Sequence, residues 1–176
     1  MKPRISYRNL PQRFLKAREC LMAHFRPILN HFGLTDQQWR VLRALDEYKQ
    51  LEPREICELC QIVSASMAGV LARMEELALI QRQRMPEDQR RVVVRLAAKG
   101  EQFISEMAPL IELQYQHLEQ TFGANVFDDL FKALEAFIGL QNQAVPAVEL
   151  PSRVVGQAVL AQPAARQKRS KLSAPS

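Results

Sequence analysis

Residues 81–100, QRQRMPEDQRRVVVRLAAKG, restrict the fold of this chain more than any other stretch. Two short strand-like runs, each carrying arginines, flank a turn containing Pro86, Glu87 and Asp88, which is the pattern of a β-hairpin. A helical run, SASMAGVLARMEELALI, precedes the hairpin, and a second amphipathic helix begins around Gly100. The order is therefore helix, strand, turn, strand, helix.

That order is the one by which a winged helix-turn-helix lays a reading helix in the major groove and an arginine-tipped hairpin over the neighbouring minor groove. Charge is distributed to match. The first eighteen residues carry Lys2, Arg4, Arg8, Arg13, Lys16 and Arg18 with no acid, and residues 81–100 are also net positive. Residues 101–142 hold seven acids against Lys132 alone. One surface is thus suited to phosphates and another to solvent or protein, although a basic patch alone reads equally well as a solvated face.

The 176 residues, 47% apolar, suit one globular domain with a tail. Cys20, Cys57 and Cys60 are too few for a disulfide scaffold and fit reduced cytosolic thiols. No export segment or membrane-length apolar run is present, so a cytoplasmic protein with no membrane partner is expected.

Along the chain, Phe14, Leu15, Leu21, Met22, Phe25, Ile28 and Leu29 predict a long helix over 11–31 with Pro27 inside it, kinked or altered there and ended by Gly33. Thr35 is placed to cap DQQWRVLRALDEY, whose buried stripe is Trp39, Val41, Leu42 and Leu45. Pro53 fits the first turn of a short third helix, and Ser64 or Ser66 starts a fourth. The third and fourth segments form the helix-turn-helix candidate, with Ser64, Ser66, Met67, Val70 and Arg73 taken as the DNA-facing residues of the reading helix. Two more helices are expected at about 98–121 and 125–142. Their aromatic faces exceed what one small winged domain can cover, which points to a partner chain.

Three parts follow: a basic arm, 1–9; a winged-helix domain, 10–142; and a basic Pro/Ala-rich tail, 143–176. Within the domain, 33–100 is the DNA-binding part, while 10–32 and 101–142 are dimerisation helices. The expected fold class is mostly α with a small β-hairpin wing, a winged helix-turn-helix plus a helical dimerisation region. The tail adds non-specific DNA attraction or is an inert extension.

Asp88-Gln89-Arg90 followed by Leu96 and Gly100, together with LARMEELALI before the wing, resembles the MarR family of bacterial transcriptional regulators over residues 10–142. The resemblance implies a homodimer on a palindromic double-stranded operator. It also implies that Arg90 enters the minor groove, held by Asp88, with Arg84 and Arg91 beside it. Two positions depart from the family pattern: Ala97 replaces a threonine, removing a cap hydroxyl, and Ala78 replaces a glycine, so that the helix end is expected to close differently.

KAREC, Met22, the string Phe25-Arg26-Pro27-Ile28, and LTDQQWR resemble the subgroup of this family that controls homoprotocatechuate and 4-hydroxyphenylacetate breakdown. That implies a repressor of an aromatic-acid operon released by the acid, a small-molecule effector rather than a cofactor. An aromatic carboxylate needs a cation in a partly dry cleft and an apolar wall. Arg18 is the expected cation and Met22, Phe25 and Trp39 the walls, with His24, Arg26 and Arg40 also assigned to the site. The plainer reading is that Arg18 and Arg40 pair with Glu19, Asp36 or a neighbouring chain and that Trp39 is core.

A thiol or peroxide sensor using Cys20, with Arg18 nearby, is the alternative. Cys57 and Cys60 fall late in a short helix and lack zinc spacing, so they are expected as buried thiols, and His24, His31 and His117 show no metal spacing. An enzyme would need a nucleophile elbow, phosphate loop or metal motif, none of which occurs, and a purely structural helical protein would not need an arginine hairpin.

Overall fold

The computed structural model describes residues 5–88 and 90–150. Six helices and three strands follow in the order α1 (Leu10–His31), α2 (Asp36–Tyr48), β1 (Gln50–Leu51), α3 (Pro53–Cys60), α4 (Ser64–Glu76), β2 (Ile80–Arg84), β3 (Val92–Leu96), α5 (Ala98–Phe122) and α6 (Ala124–Ile138). No single helix among the described residues is long and apolar enough to cross a membrane.

Local chemistry sets most boundaries. Asn9 Oδ1 accepts the Gln12 N–H at 3.1 Å to open α1, which runs through Pro27 to His31. Gly33, with φ of +67°, turns the chain, as a residue without Cβ readily does. Thr35 then caps α2 reciprocally: its hydroxyl accepts the Gln38 N–H at 3.2 Å, and the Gln38 side chain accepts the Thr35 N–H at 2.9 Å. Pro53 occupies the first turn of α3, and α3 and α4 meet at 110°, within the range of helix-turn-helix units.

The wing is a three-stranded antiparallel sheet of order β1-β3-β2. β2 pairs with β3 from Ile80 opposite Leu96 to Arg84 opposite Val92, and the Met85 N–H donates to the Arg91 carbonyl at 3.0 Å to close the hairpin. β1, pairing Leu51 with Val94, was not anticipated.

Ala78 overturns one expectation. It adopts φ of +57°, its N–H reaches the Glu75 carbonyl at 2.9 Å, and the Leu79 N–H reaches that of Met74 at 2.9 Å. Helix α4 therefore ends in the same left-handed closure a glycine would give, at the steric cost of an alanine Cβ. At the start of α5, Ala97 occupies the cap position without a side-chain hydrogen bond.

One buried cluster runs through the winged part and the long helices. It joins Phe25 and Leu29 of α1, Val41, Leu42 and Leu45 of α2, Ile56 of α3, Met67, Leu71 and Met74 of α4, Met107, Ile111 and Leu118 of α5, and Phe127 of α6. The inner face of α5 is thus core. Its outer face and that of α6 leave Leu110, Leu113, Val126, Leu130 and Phe131 exposed. From residue 135 a second unit begins, described to Leu150: the end of α6, a turn and an irregular segment. The tail charges Arg153, Arg166, Lys168, Arg169 and Lys171 lie outside the described residues, as do Lys2 and Arg4.

Candidate functional site

Helix α4 presents a face of small residues. Ser64, Ala65, Ser66, Ala68, Gly69 and Ala72 are exposed, so the backbone itself can approach a base edge closely. Met67 does not belong to that face. It is only 2% exposed and packs in the core beneath the helix, which removes it from the DNA-facing set, and Val70 is half-buried against the same core. Arg73 is exposed and paired with Glu76 at 3.0 Å.

In the wing, Arg84 and Arg90 are exposed and neither guanidinium is paired with a carboxylate among the described residues. Asp88 holds Arg90 differently from expectation. Its Oδ1 accepts the backbone N–H of Arg90 at 3.0 Å, and its carbonyl accepts the N–H of Arg91 at 2.9 Å, so Asp88 shapes the turn rather than holding the Arg90 guanidinium. Arg91 is committed to protein: its Nε donates to Glu52 at 2.7 Å and its Nη2 to the same oxygen, which raises its pKa above the ordinary value.

A cavity of about 350 Å³ opens between α1, α2, α3 and α5. Five of the seven expected effector residues line it: Arg18, Met22, Phe25, Trp39 and Arg40. Two do not. The His24 ring meets Phe122 edge-on at 5.8 Å, and Arg26 donates to Glu19 at 2.7 Å and Asp36 at 3.5 Å, an engagement led by the Glu19 hydrogen bond that raises its pKa. The walls include residues that sequence reasoning missed. Tyr115 of α5 stands against Phe25 with ring centroids 4.7 Å apart, and Arg43, Ala44, Glu47 and Tyr48 continue the α2 side. Leu21, Leu59, Cys60 and Ile111 complete the apolar lining.

The cations of the cavity differ in how far they are already engaged. Arg18 shares two carboxylates, Glu19 at 3.2 Å and Asp36 at 3.4 Å. Arg40 donates from Nη1 to the backbone carbonyls of Cys60 and Gln61, while its Nε is buried without an acceptor among the described residues. Such a group costs about 1–3 kcal/mol when unsatisfied. Burial pushes the Arg40 pKa down, and the positive charge of Arg18 adds to that. Arg43 is exposed and has no ion pair among the described residues. Burial pushes the Cys60 thiol up, in keeping with an inert thiol, whereas Cys20 is exposed.

Residues 32–91 match the MarR family. The chain is 38% identical over 109 residues to the HTH-type transcriptional regulator FarR of Neisseria gonorrhoeae, covering 62% of this chain and 75% of that protein. It is 35% identical over 128 residues to the homoprotocatechuate degradative operon repressor of Escherichia coli, covering 73% of this chain and 86% of the relative. This chain belongs to the MarR family. Among solved structures, NadR in complex with 4-hydroxyphenylacetate aligns with a TM-score of 0.67 at 33% identity, over 78% of this chain and 97% of that one.

As a MarR-family transcriptional regulator rather than an enzyme, the chain has two surfaces with distinct chemistry. The small-residue face of α4 and the unpaired wing arginines suit DNA, and the arginine-rimmed apolar cavity suits a small anion. Among the described residues no His, Cys, Asp and Glu side chains gather as a metal site.

Proposed function

We propose that this chain is a homodimeric repressor that binds a palindromic operator of an aromatic-acid catabolic operon and is released by an aromatic carboxylate such as homoprotocatechuate. The observation that carries the reading is the cavity, where aromatic and apolar walls meet arginines beside the helix-turn-helix. Its volume lies at the small end of ligand sites, the right scale for a single substituted ring. The 35% identical relative named as a homoprotocatechuate operon repressor, and the structure of NadR with 4-hydroxyphenylacetate, support the same ligand class.

In this reading Met22, Phe25, Trp39 and Tyr115 enclose the ring. Arg43 takes one oxygen of the carboxylate, because Arg18 is already shared by Glu19 and Asp36, and the other oxygen is left for Arg40, which lines the same cavity. The Tyr115 hydroxyl and the Glu47 carboxylate are the neutral and acidic partners available to ring hydroxyls. Ser64, Ser66, Arg73, Arg84 and Arg90 carry the DNA contacts.

Trp39 is the single tryptophan of the chain and lies in the cavity wall, so ligand binding can be read directly from its emission. Titration with homoprotocatechuate should quench or shift it saturably, and Arg43→Ala should weaken that binding roughly tenfold or more, the scale of one charged hydrogen bond. Unchanged emission across a millimolar titration contradicts the ligand assignment.

A further inference from the structure

The turn that leads into the reading helix is braced by a side chain from outside the helix pair. Arg40, on α2, donates from Nη1 to the carbonyl of Cys60 and, at 3.4 Å, to that of Gln61. Cys60 is the last residue of α3, and Gln61 takes the left-handed conformation, φ 50° and ψ 47°, that ends it. Helix α4 begins only three residues later, at Ser64. Carbonyls at a helix C-terminus have no partner within the helix and attract cations, so this contact fixes where α3 stops and from where α4 departs.

The same guanidinium belongs to the cavity. Arg40 is among its lining residues, and Nε is buried with no acceptor among the described residues. Nε together with Nη2 is the edge that Arg91 turns to Glu52 and Arg95 to Gln50. A carboxylate engages that edge with two parallel hydrogen bonds. In Arg40, Nε has no acceptor among the described residues, while Nη1 holds the turn.

We propose that Arg40 is the positioning residue that couples the cavity to the reading helix, bracing the Cys60–Gln61 turn when the cavity is empty and leaving it when a carboxylate occupies the cavity. This rests on the effector reading above and names how that site would regulate DNA binding. A carboxylate brings a full negative charge to the guanidinium that a neutral backbone carbonyl lacks, so the anion competes well for an arginine held only by backbone carbonyls. Ligand can shift the DNA-binding equilibrium only through contacts that differ between the two states, and Arg40 supplies such a contact.

The test uses the full chain and a duplex enriched from a random library by the parent protein. Arg40→Gln should bind that duplex about tenfold more weakly with no effector present, within the usual range of coupling between sites. Adding homoprotocatechuate should then change its affinity by less than about twofold, while the parent loses about tenfold or more. Backbone amides of residues 62–66 should exchange faster in ligand-free Arg40→Gln, to the level of the parent with homoprotocatechuate. Arg40→Lys, which can still donate to both carbonyls, should recover part of the ligand-free affinity but not the response. Parent-like DNA affinity and parent-like response in Arg40→Gln overturn the proposal. A parent unresponsive to homoprotocatechuate overturns the effector reading instead, and the brace then stands or falls on amide exchange in ligand-free Arg40→Gln.

Discussion

A Cβ placed on Gly100 would lie 2.1 Å from the carbonyl oxygen of Leu79. The first turn of α5 crosses the start of β2 at that point, and the same Leu79 carbonyl accepts the Ala97 N–H at 3.0 Å. Backbone cannot yield as a flexible side chain does, so even a methyl group must push the helix off the wing. Gly100→Ala should destabilise the chain by about 1–3 kcal/mol, the usual cost of overpacking, read as a lowered denaturation midpoint in urea. A midpoint equal to the parent's contradicts this packing.

Ala78 makes the opposite prediction. Its left-handed backbone, φ +57°, costs an L-residue with a Cβ about 1–2 kcal/mol, and glycine escapes that cost at the expense of greater freedom in the unfolded chain. Ala78→Gly should raise stability by about 0.5–1 kcal/mol on balance, visible as a higher thermal midpoint. A lowered midpoint would show that the alanine is unstrained.

In the wing, the roles of Asp88 and Arg90 separate. Arg90→Ala should weaken operator binding by about 1–3 kcal/mol and reduce the salt slope by about one phosphate contact. Asp88 acts through the turn, so Asp88→Asn, which retains an acceptor oxygen for the Arg90 N–H, should keep operator affinity close to the parent's. Asp88→Ala should lose about 0.5–1.5 kcal/mol, the net worth of one such bond. Equal losses in Asn and Ala variants would point to the charge of Asp88 rather than its acceptor.

Leu130 and Phe131 are 44% and 56% exposed on α6. Large apolar side chains gathered on one surface mark an interface, and a second copy of the chain is the proposed cover. Replacing both by glutamate should yield a folded monomer by light scattering that loses most operator affinity, since a single half-site remains. An intact dimer in that variant would move the interface elsewhere. Deleting α5 is no substitute, because Met107, Ile111 and Leu118 hold the core.

The fold was legible where one short-range interaction decides a boundary. Thr35 as the cap of α2, Pro53 at the head of α3, and the turn around Asp88 are such cases, and α6 was misjudged only in length, ending at Ile138 rather than 142. β1 was not legible, because two residues carry no alternation and their partner is more than forty positions away. Met67 was misread because α4 is small or apolar on most of its circumference, so periodicity cannot say which side faces the core. The cavity was half legible: Arg18, Met22 and Phe25 share α1, and Trp39 and Arg40 share α2, but Tyr115 and Ile111 arrive from α5 through tertiary packing alone. The engagement of Arg18 by Asp36, eighteen residues away, was weighed only as the plainer possibility.

The most direct measurement is operator affinity at fixed salt, titrated with homoprotocatechuate. An aromatic-acid-responsive repressor predicts that the apparent Kd rises about tenfold or more at saturating ligand, within the range of coupling between sites. 4-Hydroxyphenylacetate, the ligand in the NadR structure, is the natural comparison. An affinity unmoved by either acid, with DNA instead released by peroxide and that release abolished by Cys20→Ser, would contradict the account.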